Sequence, residues 1–161
     1  MSQVVLEKLK ERFRDAILET HNFQGNETAQ VKRESFLEIM HFLKDECGFE
    51  MLLDLCGVDH LPETPRFEVV YHLKSFSRGY RIRIKVRVPE DDPVVPSLVS
   101  IWKGANWYER ECFEFYGIKF QGHPDLRPLL LYPEFEGYPL RKDYPHKKRQ
   151  PRIPLLKPET R

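Results

Sequence analysis

Glu111 and Glu114 stand one helical turn apart, the spacing of a general acid–base pair, and Cys112 between them has the chemistry of a nucleophile. Arg110 shares their helical face, where it would pair with both acids and hold them ionised. Two-carboxylate catalysis needs the opposite, pKa values pushed apart. A nucleophilic cysteine wants a cation or a helix N-terminus beside it. Cys112 instead falls mid-helix among Phe113, Phe115 and acids that raise its pKa, so it reads as a packed thiol. For a metal, His123 and Asp125 form the one nearby pair, with no second His or Cys at closed-zinc spacing. The six histidines (His21, His41, His60, His72, His123, His146) are scattered singly, and no GxGxxG, GxSxG or Gly-rich phosphate loop occurs. The chain is therefore expected to hold no metal or cofactor and to catalyse nothing by itself.

The helix that must carry these residues starts at Asn106 as N-cap, with Glu109 at its third position, and stops at Gly117 in a left-handed conformation. It puts Tyr108, Cys112 and Phe115 on one side and Trp107, Arg110, Glu111 and Glu114 on another. Upstream, Val5, Leu6, Leu9, Phe13, Ala16 and Ile17 recur at helical spacing. Leu18–Phe23 and Glu27–Lys32 flank the turn Gln24-Gly25-Asn26 as a hairpin. Ser35 with Glu38 is a capping box for a second helix that buries Phe36, Ile39, Met40 and Leu43 and ends at Gly48. Phe49–Leu55 reads as a buried strand, after which Gly57–His60 turns the chain. Arg66–Lys74 and Tyr80–Val88 form an antiparallel pair. Ser97–Trp102 reads as a short helix.

The second strand of that pair alternates strictly, Ile82, Ile84, Val86 and Val88 against Arg81, Arg83, Lys85 and Arg87. Four like charges on one face could grip phosphate, or could simply face water on the uncovered side of a sheet. With the basic tail, strand 81–87 offers a second reading, a small nucleic-acid-binding module, although no aromatic ring interleaves the charges as a stacking platform.

Across 161 residues the net charge is +1, yet residues 141–161 hold eight Lys/Arg against Asp143 and Glu159, a local +6 that leaves −5 for the rest. Three well-separated cysteines build neither a disulfide framework nor a CxxC motif, which fits a reducing compartment. No apolar run reaches the roughly 20 residues of a membrane span, and the first residues lack the order of a secretory signal. Eight of the thirteen prolines follow Phe120, so regular structure is nearly impossible there. The same stretch carries Leu126, Leu129, Leu130, Leu131, Tyr132, Phe135, Tyr138, Leu140, Tyr144, Ile153, Leu155 and Leu156, too apolar for disorder. The natural resolution is that such a segment lies along another protein, its side chains filling pockets and its basic groups meeting acids; the alternative is a tail wrapped on its own domain or simply loose.

In that setting Glu109-Arg110-Glu111, Glu114-Phe115-Tyr116, His123, Arg127 and Leu129 resemble the signature of the 30 kDa-type (C-type) subunit of respiratory complex I. Gly137-Tyr138-Pro139-Leu140-Arg141-Lys142-Asp143-Tyr144-Pro145 is similar to a second element of that family, and Leu52–Asp59 and the paired strands occupy its expected places. Glu114 stands where Asp is common, and Pro128 where Arg or Lys is usual. The resemblance implies an α+β fold: a small mixed or antiparallel sheet with helices on one face over residues 1–120, then an extended proline-rich segment over 121–161. It implies a cofactor-free structural subunit of the peripheral arm of the proton-pumping NADH:quinone oxidoreductase, peripheral on the cytoplasmic side of the bacterial plasma membrane. FMN and iron–sulfur clusters would lie in partner subunits, and the chief partner would be the quinone-site (D-type) subunit. The equivalent subunit of a membrane-bound hydrogenase is the related alternative. Glu109, Arg110, Glu111 and Glu114 would fix the helix and its docking face, and His123, Arg127, Arg141, Lys142, Asp143 and Tyr144 would anchor the extended segment to the partner.

Overall fold

The computed structural model describes residues 3–153; Leu155, Leu156 and the last basic residues lie outside them. The elements in chain order are α1 (Gln3–Arg12), β1 (Ile17–Phe23), β2 (Asn26–Val31), α2 (Phe36–Asp45), β3 (Met51–Asp59), β4 (Phe67–Lys74), β5 (Arg81–Val88), β6 (Val94–Pro96), α3 (Ala105–Tyr116) and β7 (Lys119–Gln121). Five strands form one sheet in the order β1-β2-β5-β4-β3, and β6 with β7 forms a second, parallel pair.

The two hairpins come out antiparallel, as their turns predict. What joins them is a parallel pairing of β2 with β5, Glu27 opposite Ile82 through Val31 opposite Val86, and this makes the sheet mixed. The β5 alternation decides which face is inner. Ile82, Ile84, Val86 and Val88 are buried with Phe67, Val69, Tyr71 and Leu73 from β4, and α1 (Leu6, Leu9), α2 (Phe36, Ile39, Met40, Leu43) and α3 (Ala105, Cys112) join that one cluster. All three helices therefore cover the same face, each buried aliphatic or aromatic side chain contributing about 1.5–3 kcal/mol of transfer free energy.

The outer face is a charge lattice. Lys85 pairs with Glu68 at 3.0 Å and Arg87 with Glu63 at 2.7 Å, so at least two of the four basic positions on β5 are answered within the chain. That weakens the case for phosphate on this face.

Five local expectations change. The helix expected from Val5 through Ile17 stops at Arg12, Phe13 leading into a 3-10 turn over Arg14–Ala16 and Ile17 opening β1. Ser35 makes no side-chain cap; a 3-10 turn over Arg33–Ser35 leads into α2 instead. β3 runs on through Gly57 and Val58 to Asp59, because β4 pairs with it along that whole length. Ser97–Trp102 forms turns rather than a helix, since Ser97 and Leu98 are held by the side chain of Glu109. α3 begins one residue earlier than Asn106, its first amides bonded to the backbone of Trp102, Lys103 and Gly104.

α3 crosses β3. Tyr108 donates its hydroxyl to Leu53 O at 3.0 Å, and Tyr116 lies so close to Gly57 that a Cβ there would sit 2.6 Å from the ring. One end of the sheet is thereby shielded by the helix that the sequence marks as functional.

Candidate partner-docking site

Helix α3 points its charged residues in three directions. Glu109 is fully buried, accepting Ser97 Oγ on one carboxyl oxygen and Leu98 N–H on the other, each at 2.6 Å. Burial pushes its pKa up to about 7, against the two hydrogen bonds that lower it. Glu114 is 3% exposed and accepts three successive amides, Leu129, Leu130 and Leu131, at 2.9 to 3.0 Å. Arg110 donates to the carbonyls of Arg127 and Pro128, both at 3.0 Å, and its guanidinium lies 5.4 Å from the exposed ring of Trp107. Glu111 remains exposed.

The expected Arg110–Glu111–Glu114 ion-paired face therefore does not form. Backbone groups of residues 127–131 supply better partners, amides for the acid and carbonyls for the base, so one turn of the chain satisfies both. Glu109 and Glu114 are spent inside the protein, on the loop before α3 and on the segment after it.

That segment, residues 122–153, is a strap without helix or strand. It starts at His123, whose Nδ1 accepts the Asp125 amide while Nε2 bonds Asn106 O at 3.2 Å. Both ring nitrogens are engaged, and among the described residues no cluster of His, Cys, Asp and Glu could hold a metal ion. Arg127 is mostly exposed and pairs with Asp125 at 2.9 Å.

The far end of the strap is fixed by a residue that no motif or period singles out. Arg66, 4% exposed, grips Asp59 with Nε and Nη2 at 3.0 and 2.8 Å and Asp143 with Nη1 and Nη2 at 2.9 and 2.7 Å; Nη1 also reaches Glu90 at 2.6 Å. Two carboxylates are thus held in fork geometry by one guanidinium. Hydrogen bonds from Arg66, with its charge behind them, hold Asp59 well below the usual carboxylate range and lower Asp143 as well. Lys142 adds its amide to Asp59 Oδ2 at 2.8 Å. Arg141 donates Nε to Tyr116 O at the C-terminal end of α3, at 2.7 Å, and lies between the rings of Phe67 and Tyr138. Tyr144 stacks near Phe135 and bonds Gln150, closing a small cluster in the strap itself.

Gly117 is where strap and helix meet. It has φ +74°, and a Cβ would lie 2.6 Å from the Tyr138 ring and 2.7 Å from Arg141 Nη2. Gly117→Ala is expected to cost about 2–4 kcal/mol by joining left-handed strain of about 1–2 kcal/mol to this overlap. Urea denaturation of the variant against the parent checks it; a change under about 0.5 kcal/mol would mean the contact is slack.

The family described as "Respiratory-chain NADH dehydrogenase, 30 Kd subunit" matches residues 29–150. The second C-type subunit of the NADH-quinone oxidoreductase of Rhizobium etli is 48% identical over 139 residues, which covers 85% of this chain and 74% of that protein. The C-type subunit from a Roseiflexus species is 49% identical over 143 residues, 88% of this chain and 82% of that one. Among solved structures, the trypsin-resistant fragment (1-134) of Nqo5 superposes with a TM-score of 0.70 at 37% identity, covering 77% of this chain and 98% of the fragment. A chain of the membrane-bound sulfane sulfur reductase, an archaeal respiratory membrane complex, gives a TM-score of 0.74 at 27% identity over 91% of this chain and 86% of its own.

Proposed function

We propose, for a chain that belongs to the family of the 30 kDa subunit of respiratory-chain NADH dehydrogenase, that the outer side of the strap and the Trp107–Arg110 edge of α3 together dock it onto a neighbouring subunit. The chain is a structural subunit of NADH-quinone oxidoreductase, complex I, and contributes no catalytic group of its own. Its chief partner is the D-type subunit, which with other subunits carries the quinone site, FMN and iron–sulfur clusters, and the assembly lies on the cytoplasmic side of the membrane. Among the described residues no helix is long and apolar enough to cross a membrane, so attachment through partners is the simple route.

The observation that carries this is the two-sidedness of the strap. Its inner side is consumed by Glu114, Arg66 and Asp59, while Leu130 (65% exposed), Leu140 and Ile153 face outward, and Trp107 (58% exposed) stands beside Arg110. Exposed Trp, Arg and leucine side chains on a rigid frame are the usual anchors of a protein interface. Lys147, Arg149 and Arg152, exposed on the same segment, favour a partner surface rich in carboxylates. Docking roles accordingly pass to Arg110, Glu111, Arg127, Lys142 and Tyr144, with His123, Arg141 and Asp143 positioning the frame.

A tagged chain expressed in its native host and recovered from gently solubilised membranes is expected to bring down flavin- and cluster-bearing subunits with NADH–quinone activity. The double variant Trp107→Ser, Leu130→Ser should fold with an unchanged melting temperature and recover at least about tenfold less of them, the loss of two interface anchors. Equal recovery by the variant would move the docking face elsewhere. A parent chain that came back alone would sink the subunit reading itself.

A further inference from the structure

Tyr71 on β4 is fully buried, its ring tilted against Phe36 of α2 at 4.8 Å between centroids, and its hydroxyl has no hydrogen-bond partner among the described residues. An unpaired buried hydroxyl is unusual, because burial strips it of water without replacing the bond. The ionisable groups that act on it are Glu109 and then Cys112, both buried on α3. Glu109 has capacity to spare. Each of its oxygens takes one donor, Ser97 Oγ or Leu98 N–H, and a carboxyl offers about four acceptor positions. Around it the sheet contributes Tyr71, the turn after β6 contributes Ser97, and its own helix contributes the thiol of Cys112. Among the described residues no cation pairs with it.

We propose that one buried water molecule bridges the Tyr71 hydroxyl and the Glu109 carboxyl, and that this water, the carboxyl and Ser97 form a proton-binding site between α3 and the sheet. The water accepts the Tyr71 hydrogen and donates one of its own to Glu109, giving the orphan hydroxyl the partner it lacks; buried waters take two to four such bonds. Ser97 accommodates both protonation states. Its hydroxyl donates across the 2.6 Å contact when Glu109 is ionised, and on protonation the carboxyl donates and the Ser97 oxygen accepts. Burial raises Glu109 to about 7, so the proton is exchanged near neutrality. Since the folded chain holds this proton more tightly than the unfolded one, the stability tied to neutral Glu109 is complete below about pH 4.5 and is lost as pH rises towards 7. The site is internal to the chain, so it stands or falls apart from the docking reading.

Carbon-13 NMR of glutamate-labelled full chain, titrated from about pH 5 to pH 9, is the test, together with a high-resolution crystal structure. One carboxyl should titrate near pH 7 and vanish in Glu109→Gln. In Tyr71→Phe its midpoint should rise by about half a unit, roughly a threefold tighter proton, because the ionised form has lost its bridging donor. Density should show one ordered water within about 3 Å of both oxygens. The unfolding constant of the parent should grow on the order of 100-fold between about pH 5 and pH 8 relative to that of Glu109→Gln. A Glu109 carboxyl that does not titrate in this range overturns the proton site. A midpoint unmoved in Tyr71→Phe, or an empty space in the density, overturns the bridging water. Should Tyr71→Phe not fold, the parent titration and the density still decide.

Discussion

Replacing Arg66 with alanine is expected to lower the unfolding free energy by about 3–5 kcal/mol, the penalty for stripping one partner from a buried ion pair. Asp59 would be left buried, with the Lys142 and Leu61 amides as its remaining hydrogen-bond donors, while Asp143 and Glu90 turn to water. Arg66→Lys should recover little, since a single ammonium cannot fork onto two carboxylates. Acid titration gives a second signature. Asp59 and Asp143 are held below the ordinary carboxylate value in the folded chain, so the stability they contribute is complete above about pH 4–5 and is lost as pH falls through their folded values. The parent should weaken between about pH 4 and pH 2 far more than Arg66→Ala does. Denaturant midpoints at neutral and acid pH measure both effects, and parallel acid profiles would show that Arg66 does not set the titration of the two aspartates.

Glu114→Ala should release the other end of the strap at a cost of about 2–4 kcal/mol, because three neighbouring amides lose one shared acceptor and each unpaired amide costs about 1–3 kcal/mol until water reaches it. The readout is local. Hydrogen exchange at Leu129, Leu130 and Leu131 should accelerate by about 30-fold or more, while amides of β4 and β5 slow or quicken only with global stability. Chymotrypsin should then cut after Leu129 or Leu130, bonds left intact in the parent. Glu114→Gln keeps an acceptor and should fall between the two. Unchanged exchange at the three leucines in Glu114→Ala would mean that Pro128 and the aromatic cluster hold the strap without the carboxylate.

Local order is readable from sequence wherever one residue type or one period dictates it. Gly117 ends α3 because it supplies the left-handed conformation, and β5 announces its inner face by strict alternation. The partners of the α3 charges are hidden for an equally definite reason. Helical spacing says which side chains share a face but not what covers it, and the strap covers the face that carries Glu114. Arg66 leaves no trace at all, since its partners are 7, 24 and 77 residues away and no period links them. The β2–β5 pairing is hidden in the same way, α2, β3 and β4 intervening in the chain. The family likeness supplies the fold class and the complex without supplying these contacts, because the ordered string of residues names the protein's relatives and not the atoms each residue meets.

The joints that hold the strap also set the order in which the chain becomes ordered. Asp143 meets Arg66 across 77 residues and Lys142 meets Asp59 across 83, and every receiving group (Asp59, Arg66, Glu114) takes its position from elements that must pair or coil beforehand. Closing so large a loop on partners that do not yet exist has an entropy cost and no return, so the strap is expected to settle last rather than to nucleate folding. During synthesis it is also the last described stretch to leave the ribosome. Until it settles, Arg66, Asp59 and Glu114 are uncovered and the apolar side chains of the strap are free, so a newly made chain passes through a state that is sticky at the surface it will later use for assembly.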